Sequence, residues 1–179
     1  MDRPYLLPRE RQTPPVVTLR EPARAHALKV TDPARRAMTD FRLQPLPTVS
    51  EELALEQVLD QMFRLGAHAF LVVRNGVVTG LIGAEQVRER GARHRSLRAA
   101  DVMTPSPEVP AVDWLVIEES QVRDLMEIFD GSGARHLMVL ENESPTRAHV
   151  RGLIHRERLR RQLGSRWPGR TMMLSGVAR

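Results

Sequence analysis

Apolar residues follow two rhythms that alternate along the chain. Between Ala54 and Leu65, Leu55, Val58, Leu59 and Met62 recur at i, i+3, i+4 and i+7, one face of an amphipathic helix. Gly66 ends that helix. Ala69 to Val73 is a continuous apolar run, the pattern of a strand covered on both faces. Asn75-Gly76 predicts a tight hairpin that returns the chain antiparallel through Val77 to Ile82. A short helix begins near Ala84. The helical rhythm returns from Ser120 to Asp130, with Val122, Leu125, Met126 and Phe129 on one face. Gly131 to Gly133 closes that helix, and an apolar strand runs from Leu137 to Leu140. A last helix is predicted from Arg156 to Leu163, ending at Gly164.

The same landmarks therefore occur twice in the same order. Met38-Thr39 matches Met103-Thr104, and Gly66-Ala67 matches Gly133-Ala134. Phe70 to Val73 matches Leu137 to Leu140, and Gly80 to Ile82 matches Gly152 to Ile154. The spacing between copies grows where loops take insertions, chiefly in Glu141 to His149. Four landmarks in one order indicate a duplication. One such unit of ~60 residues would be marginal alone, so the two are expected to share a core. The expected divisions are an N-terminal arm (1–37), a first unit (38–88), a basic linker (89–100), a second unit (101–164) and a C-terminal tail (165–179).

In the arm, Pro4, Pro8, Pro14, Pro15, Pro22 and Pro33 break any long helix. Val16 to Leu19 could pair as an edge strand, and the arm is expected to wrap the module or a dimer partner. Asp32-Pro33 is a good start for a short helix leading into Met38. In the second copy, Trp114 in the apolar run through Ile117 is expected in the core or a dimer interface.

Composition narrows the chemistry. The 179 residues are 41% apolar but only 4% aromatic, so the core must be aliphatic. Cysteine is absent, which excludes disulfides and thiolate metal sites. No apolar run approaches the ~20 residues that span a bilayer, and the N-terminus has no signal-peptide core. A cytoplasmic location is the expectation. Net charge is +5, nearly all of it from arginine. Arginines gather in 88–98 and 147–170, as a solvated surface or a patch for an acidic partner. With few aromatics to stack bases, nucleic acid is an unlikely partner. No phosphate-cradling loop or catalytic frame occurs, and no two histidines share a helix at metal-ligand spacing, so neither an enzyme nor a metal site is expected.

The duplicated Met-Thr openings, the apolar strand and the Gly-Leu-Ile strand resemble the cystathionine-β-synthase (CBS) domain, which occurs in tandem pairs called Bateman modules. The resemblance covers about 38–163. It implies an α+β fold of two β-α-β-β-α units packed as a pseudo-twofold pair, and a homodimer formed through helices. It also implies a regulatory role, often through adenine nucleotides such as AMP, ADP or ATP.

In ligand-binding members the last strand leads through Thr or Ser to an Asp that accepts from both ribose hydroxyls. Here Gly83 and Gln86 stand at those positions in the first copy, and His155 and Arg158 in the second. Gln86 can accept one hydrogen bond, without charge assistance. Arg158 cannot accept at all but can hold phosphate bidentately. The base is expected near Ala67, His68 and Ala69 or near Arg135 and His136, with phosphates toward Arg158 or Arg135. The readings that follow are a stand-alone regulatory sensor of a phosphorylated metabolite, or a ligand-free dimeric adaptor acting on an unidentified protein through its basic surface.

Overall fold

The computed structural model describes residues 27–45, 47–91, 96–144 and 146–164. The expected edge strand at Val16 to Leu19, the tail, and part of the basic linker lie outside these residues. In chain order the strands are β1 (Thr39–Asp40), β2 (Thr48–Ser50), β3 (Ala69–Arg74), β4 (Val77–Gly83), β5 (Thr104–Pro105), β6 (Ala111–Asp113), β7 (His136–Ser144) and β8 (Arg147–His155). The helices are α1 (Leu55–Leu65), α2 (Ala84–Gly91), α3 (Ala99–Val102), α4 (Trp114–Glu119), α5 (Val122–Ser132) and α6 (Arg156–Leu163).

Local signals set these elements. Gly66 and Gly133 leave α1 and α5 in the left-handed region, at φ 60° and 66°. Asn75 and Gly76 both have positive φ, as a two-residue turn matching strand twist requires. Leu55, Val58 and Met62 are buried, but Leu59 is 39% and Phe63 88% exposed, so α1 has a second apolar face outward. One stretch takes a form the sequence pattern left open, and another differs from expectation. Trp114 to Glu119 is helical because the Asp113 carboxylate accepts from the Leu115 N–H at 2.8 Å. It buries Ile117, while Trp114 lies partly buried under the Arg151 guanidinium, 4.5 Å from the ring centroid. The 141–149 segment is not a loop insertion; it lengthens the β7–β8 hairpin, which pairs from His136↔His155 to Ser144↔Arg147 with register shifts between Val139 and Leu140 and between Asn142 and Ser144.

The fold is α+β, with two four-stranded sheets, β2-β3-β4-β5 and β1-β8-β7-β6. Each contains a β-α-β-β-α unit plus one strand contributed by the opening of the other copy. Thr39 and Asp40 pair with Leu153 and Gly152, and Thr104 and Pro105 pair with Leu81 and Gly80. The short helical lead into each opening crosses over as well. Leu28, Ala34, Ala37 and Met38 enter the core of the second unit, and Ala99 and Val102 enter that of the first.

The exchange explains the glycine of each Gly-Leu-Ile strand. A Cβ on Gly80 would stand 2.6 Å from both the Met103 sulfur and the Thr104 carbonyl oxygen. On Gly152 it would stand 2.5 Å from the Met38 sulfur and 2.7 Å from the Thr39 carbonyl oxygen. Both faces of β3 and β7 are covered. Phe70, Val72, Leu137 and Val139 face their own helices, and Ala69, Leu71, Leu81, Val109 and Met138 form a core between the sheets.

Candidate functional site

Three cavities open along the seam between the units. The widest, 500 Å³, joins the Gly66–Ala69 turn, the opening at Thr39 and Phe41, and the end of the second copy at Leu153, His155 and Arg158. The narrowest, 300 Å³, is its pseudo-symmetric counterpart, formed by Gly133 to His136, Thr104 and, from the first copy, Leu81 and Gln86. A central cavity of 450 Å³ lies between them, lined by His68, Gly83, Gln86, Arg135, His136 and His155 among others. All nine sequence-predicted site residues thus line the seam. Each lateral cleft takes its turn from one copy and its final strand and helix from the other, which the crossing of the openings brings about.

Polar side chains close the two lateral clefts in parallel ways. On the wide side, an Arg158 Nη donates to the Thr39 hydroxyl at 2.8 Å. On the narrow side, the Gln86 amide nitrogen donates to the Thr104 hydroxyl at 3.0 Å. The two positions where the resemblance leads one to look for a ribose carboxylate therefore each hold the threonine of the other copy's Met-Thr opening. Gln86 is further engaged: its oxygen accepts from the Gly83 N–H at 2.7 Å, capping the start of α2. Its expected role as a free ribose acceptor is reduced accordingly. Arg135 pairs with Glu85 across the units, a partner the sequence did not suggest. The Thr39 and Thr104 hydroxyls were visible only as landmarks of the duplication, and nothing in their spacing announced a polar role.

Three histidines meet at the centre. His68 stacks on His155 with ring centroids 5.5 Å apart and planes 12° apart, and His136 tilts against His155 at 4.7 Å. Burial, then the neighbouring His155, Arg135 and His68, push the His136 pKa down to about 3. Burial, then His68, Arg161 and Arg158, push His155 down to about 4, against the opposing pull of Glu157. The His155 Nδ1 accepts from the Arg158 backbone N–H at 3.2 Å, so its proton sits on Nε2 and that N–H is available to a ligand. His136 Nε2 is buried without a hydrogen-bond partner. Among the described residues no cluster of potential ligands could hold a metal ion, and no helix is long and apolar enough to cross a membrane.

Comparison with known proteins places this geometry. Residues 34–92 match the CBS domain family model. No curated protein matches the chain. Among solved structures, the CBS domain of a bacterial CNNM/CorC family Mg2+ transporter in complex with ATP superposes with a TM-score of 0.54 at 17% identity, covering 75% of this chain and 88% of that one. A hemolysin-like protein containing a CBS domain, from Oenococcus oeni PSU, gives 0.57 at 14% identity, covering 75% and 92%. An uncharacterized conserved protein from Pyrococcus horikoshii gives 0.57 at 13% identity, covering 74% and 92%. Identities this low speak for the fold alone. The family model's match and the shared fold agree with the duplicated landmarks: residues 34–92 match a CBS domain, and the chain has the fold of its CBS-domain neighbours.

Proposed function

We propose that the chain is a non-catalytic regulatory CBS-pair protein that binds an adenine nucleotide or another phosphorylated metabolite between its two units. The observation that carries this is the wide cleft. Its walls at Phe41, Ala67, Ala69 and Leu153 suit a planar base, and Arg158 and His155 present donors at one end. That the similar transporter CBS domain has been seen with ATP supports the ligand class. Calorimetric titration with AMP, ADP and ATP tests it. Millimolar nucleotide should release heat, and Arg158→Ala should weaken binding by about 1.5–3 kcal/mol, the value of a charge-assisted hydrogen bond. Absence of heat from all three nucleotides would end the nucleotide reading.

A dimeric adaptor is the second reading, supported by the outward apolar face of α1, where Leu59 and Phe63 are exposed. The basic surface supports it less. Arg98 pairs with Glu52, Arg147 with Glu143, Arg156 with Asp130 and Arg160 with Glu157, so much of the described arginine charge is met within the chain.

A further inference from the structure

We infer that the chain takes one phosphorylated ligand, in the wide cleft at Arg158 and Thr39, and that the pseudo-equivalent narrow cleft is a closed structural seam. This rests on the nucleotide or phosphometabolite reading above and adds to it which of two related clefts is competent.

Hydrogen-bonding capacity separates the clefts first. Arg158 carries five N–H donors, and one of its nitrogens meets the Thr39 hydroxyl, so donors remain for an anion. Its side chain stands in an exposed position, which leaves it free to turn toward a ligand. Gln86 has no comparable reserve. Its oxygen accepts from Gly83, and its nitrogen donates to Thr104 at 3.0 Å and lies 3.5 Å from the Val102 carbonyl. A ligand entering there must first break a helix cap and an inter-unit tie.

Charge separates them in the same direction. Among the described residues no carboxylate lines the wide cleft, so none of them compensates Arg158 there. The narrow cleft is lined by Glu108, and its arginine, Arg135, is already paired with Glu85. An anion would meet net attraction in one and a neutralised wall in the other.

Shape agrees with both. Ala69 and His136 hold equivalent positions at the start of the apolar strand of each copy, where Ala69 faces Gly83 and His136 faces His155. The small Ala69 side chain leaves the wide cleft open at this point, whereas the His136 ring occupies the equivalent point of the narrow cleft and also borders the wide one. The volumes follow, at 500 Å³ against 300 Å³. Drug-sized ligands occupy pockets of about 300–1,000 Å³, so the narrow cleft sits at the lower limit before its polar ties are counted.

The test is titration of the full chain with ATP and with inorganic pyrophosphate, comparing wild type with Arg158→Glu, Ala67→Trp and Ala134→Trp. Ala67 and Ala134 are the matching turn residues of the wide and narrow clefts, so the tryptophans block one cleft each. Arg158→Glu changes an exposed side chain and serves if a tryptophan variant fails to fold. The expected result is one ATP per chain, weakened at least about tenfold by Ala67→Trp or Arg158→Glu and unchanged by Ala134→Trp. Two ATP per chain, or loss of binding only in Ala134→Trp, would overturn this inference and leave the nucleotide reading intact. Pyrophosphate binding without ATP binding, abolished by Arg158→Glu, would keep the single anion site and remove the nucleotide. Failure of both probes to bind would overturn both.

Discussion

Acidification from pH 7 to pH 5 should destabilise this fold through the histidines on its seam, and His136 fixes the size of the effect. Its folded pKa is about 3 against an ordinary 6.5, because burial and the nearby His155, Arg135 and His68 disfavour the imidazolium. In the unfolded chain His136 protonates near its ordinary value. The unfolded state therefore binds the extra proton first. Stability is fully present above pH 6.5, declines as pH falls below it, and stops declining when the folded-state imidazole itself protonates. Between pH 7 and pH 5 the unfolded chain gains most of a proton at this position and the folded chain almost none. The loss is about 2 kcal/mol, a large share of a typical stability of roughly 5–15 kcal/mol. His155, lowered to about 4 and more exposed, adds a smaller loss of the same sign. Urea unfolding at pH 7, 6 and 5 reads this directly. With a slope of about 2 kcal/mol/M, His136 alone moves the midpoint by about 1 M. In His136→Phe an aromatic ring stays in place, and of the two nitrogens it removes Nε2 has no hydrogen-bond partner. That variant should lose most of the pH dependence. Equal losses in wild type and His136→Phe between pH 7 and pH 5 would refute the reasoning.

Gly80→Ala and Gly152→Ala should each destabilise by about 1–3 kcal/mol, as overpacking does. Calorimetric melting checks this; an unchanged melting temperature in both would mean that the exchanged openings are not held at the close approach described. Dimerisation through the outward face of α1 is proposed from Phe63 and Leu59, so Phe63→Glu should shift a dimer to monomer in light scattering without loss of fold. A wild-type monomer at micromolar concentration would count against it. Any polyanion held by the arginines should dissociate steeply with salt; binding that stays flat from low to physiological salt would assign it to other contacts.

Much of the fold was legible because its signals are local. The spacing of Leu55, Val58 and Met62, the left-handed Gly66 and Gly133, and Asn75-Gly76 each act within a few residues. Doubly apolar β3 and β7 announced that both sheet faces would be covered, as the inter-sheet core shows. What the periodicity of α1 could not separate was its two apolar faces. Met62 is 3% exposed and Phe63, one residue on, is 88% exposed, a distinction set by tertiary packing. The seam was legible in membership but not in pairing. That Arg158 belongs with Ala67 and Thr39, and Gln86 with Ala134 and Thr104, depends on which sheet each opening joins. No local pattern encodes that choice. The helix at Trp114 escaped because a four-residue apolar run has no periodicity long enough to tell strand from helix.

The exchange of openings also sets an order in time. The first folding unit is continuous along the chain, from β2 to β5, and every strand of its sheet has been made once residue 105 has been added. The second unit is not. Its edge strand β1 and the core residues Leu28, Ala34 and Met38 are made before anything in the first unit, yet their partners come last. Thr39 and its partner Arg158 are 119 residues apart in the chain. At about 5–20 residues per second, the early segment waits roughly 6–24 s during synthesis for the strand it will join. A chain growing on a ribosome would thus carry a finished first unit and a stranded apolar opening, Leu28 to Met38, exposed to chaperones until β8 and α6 emerge to cover it.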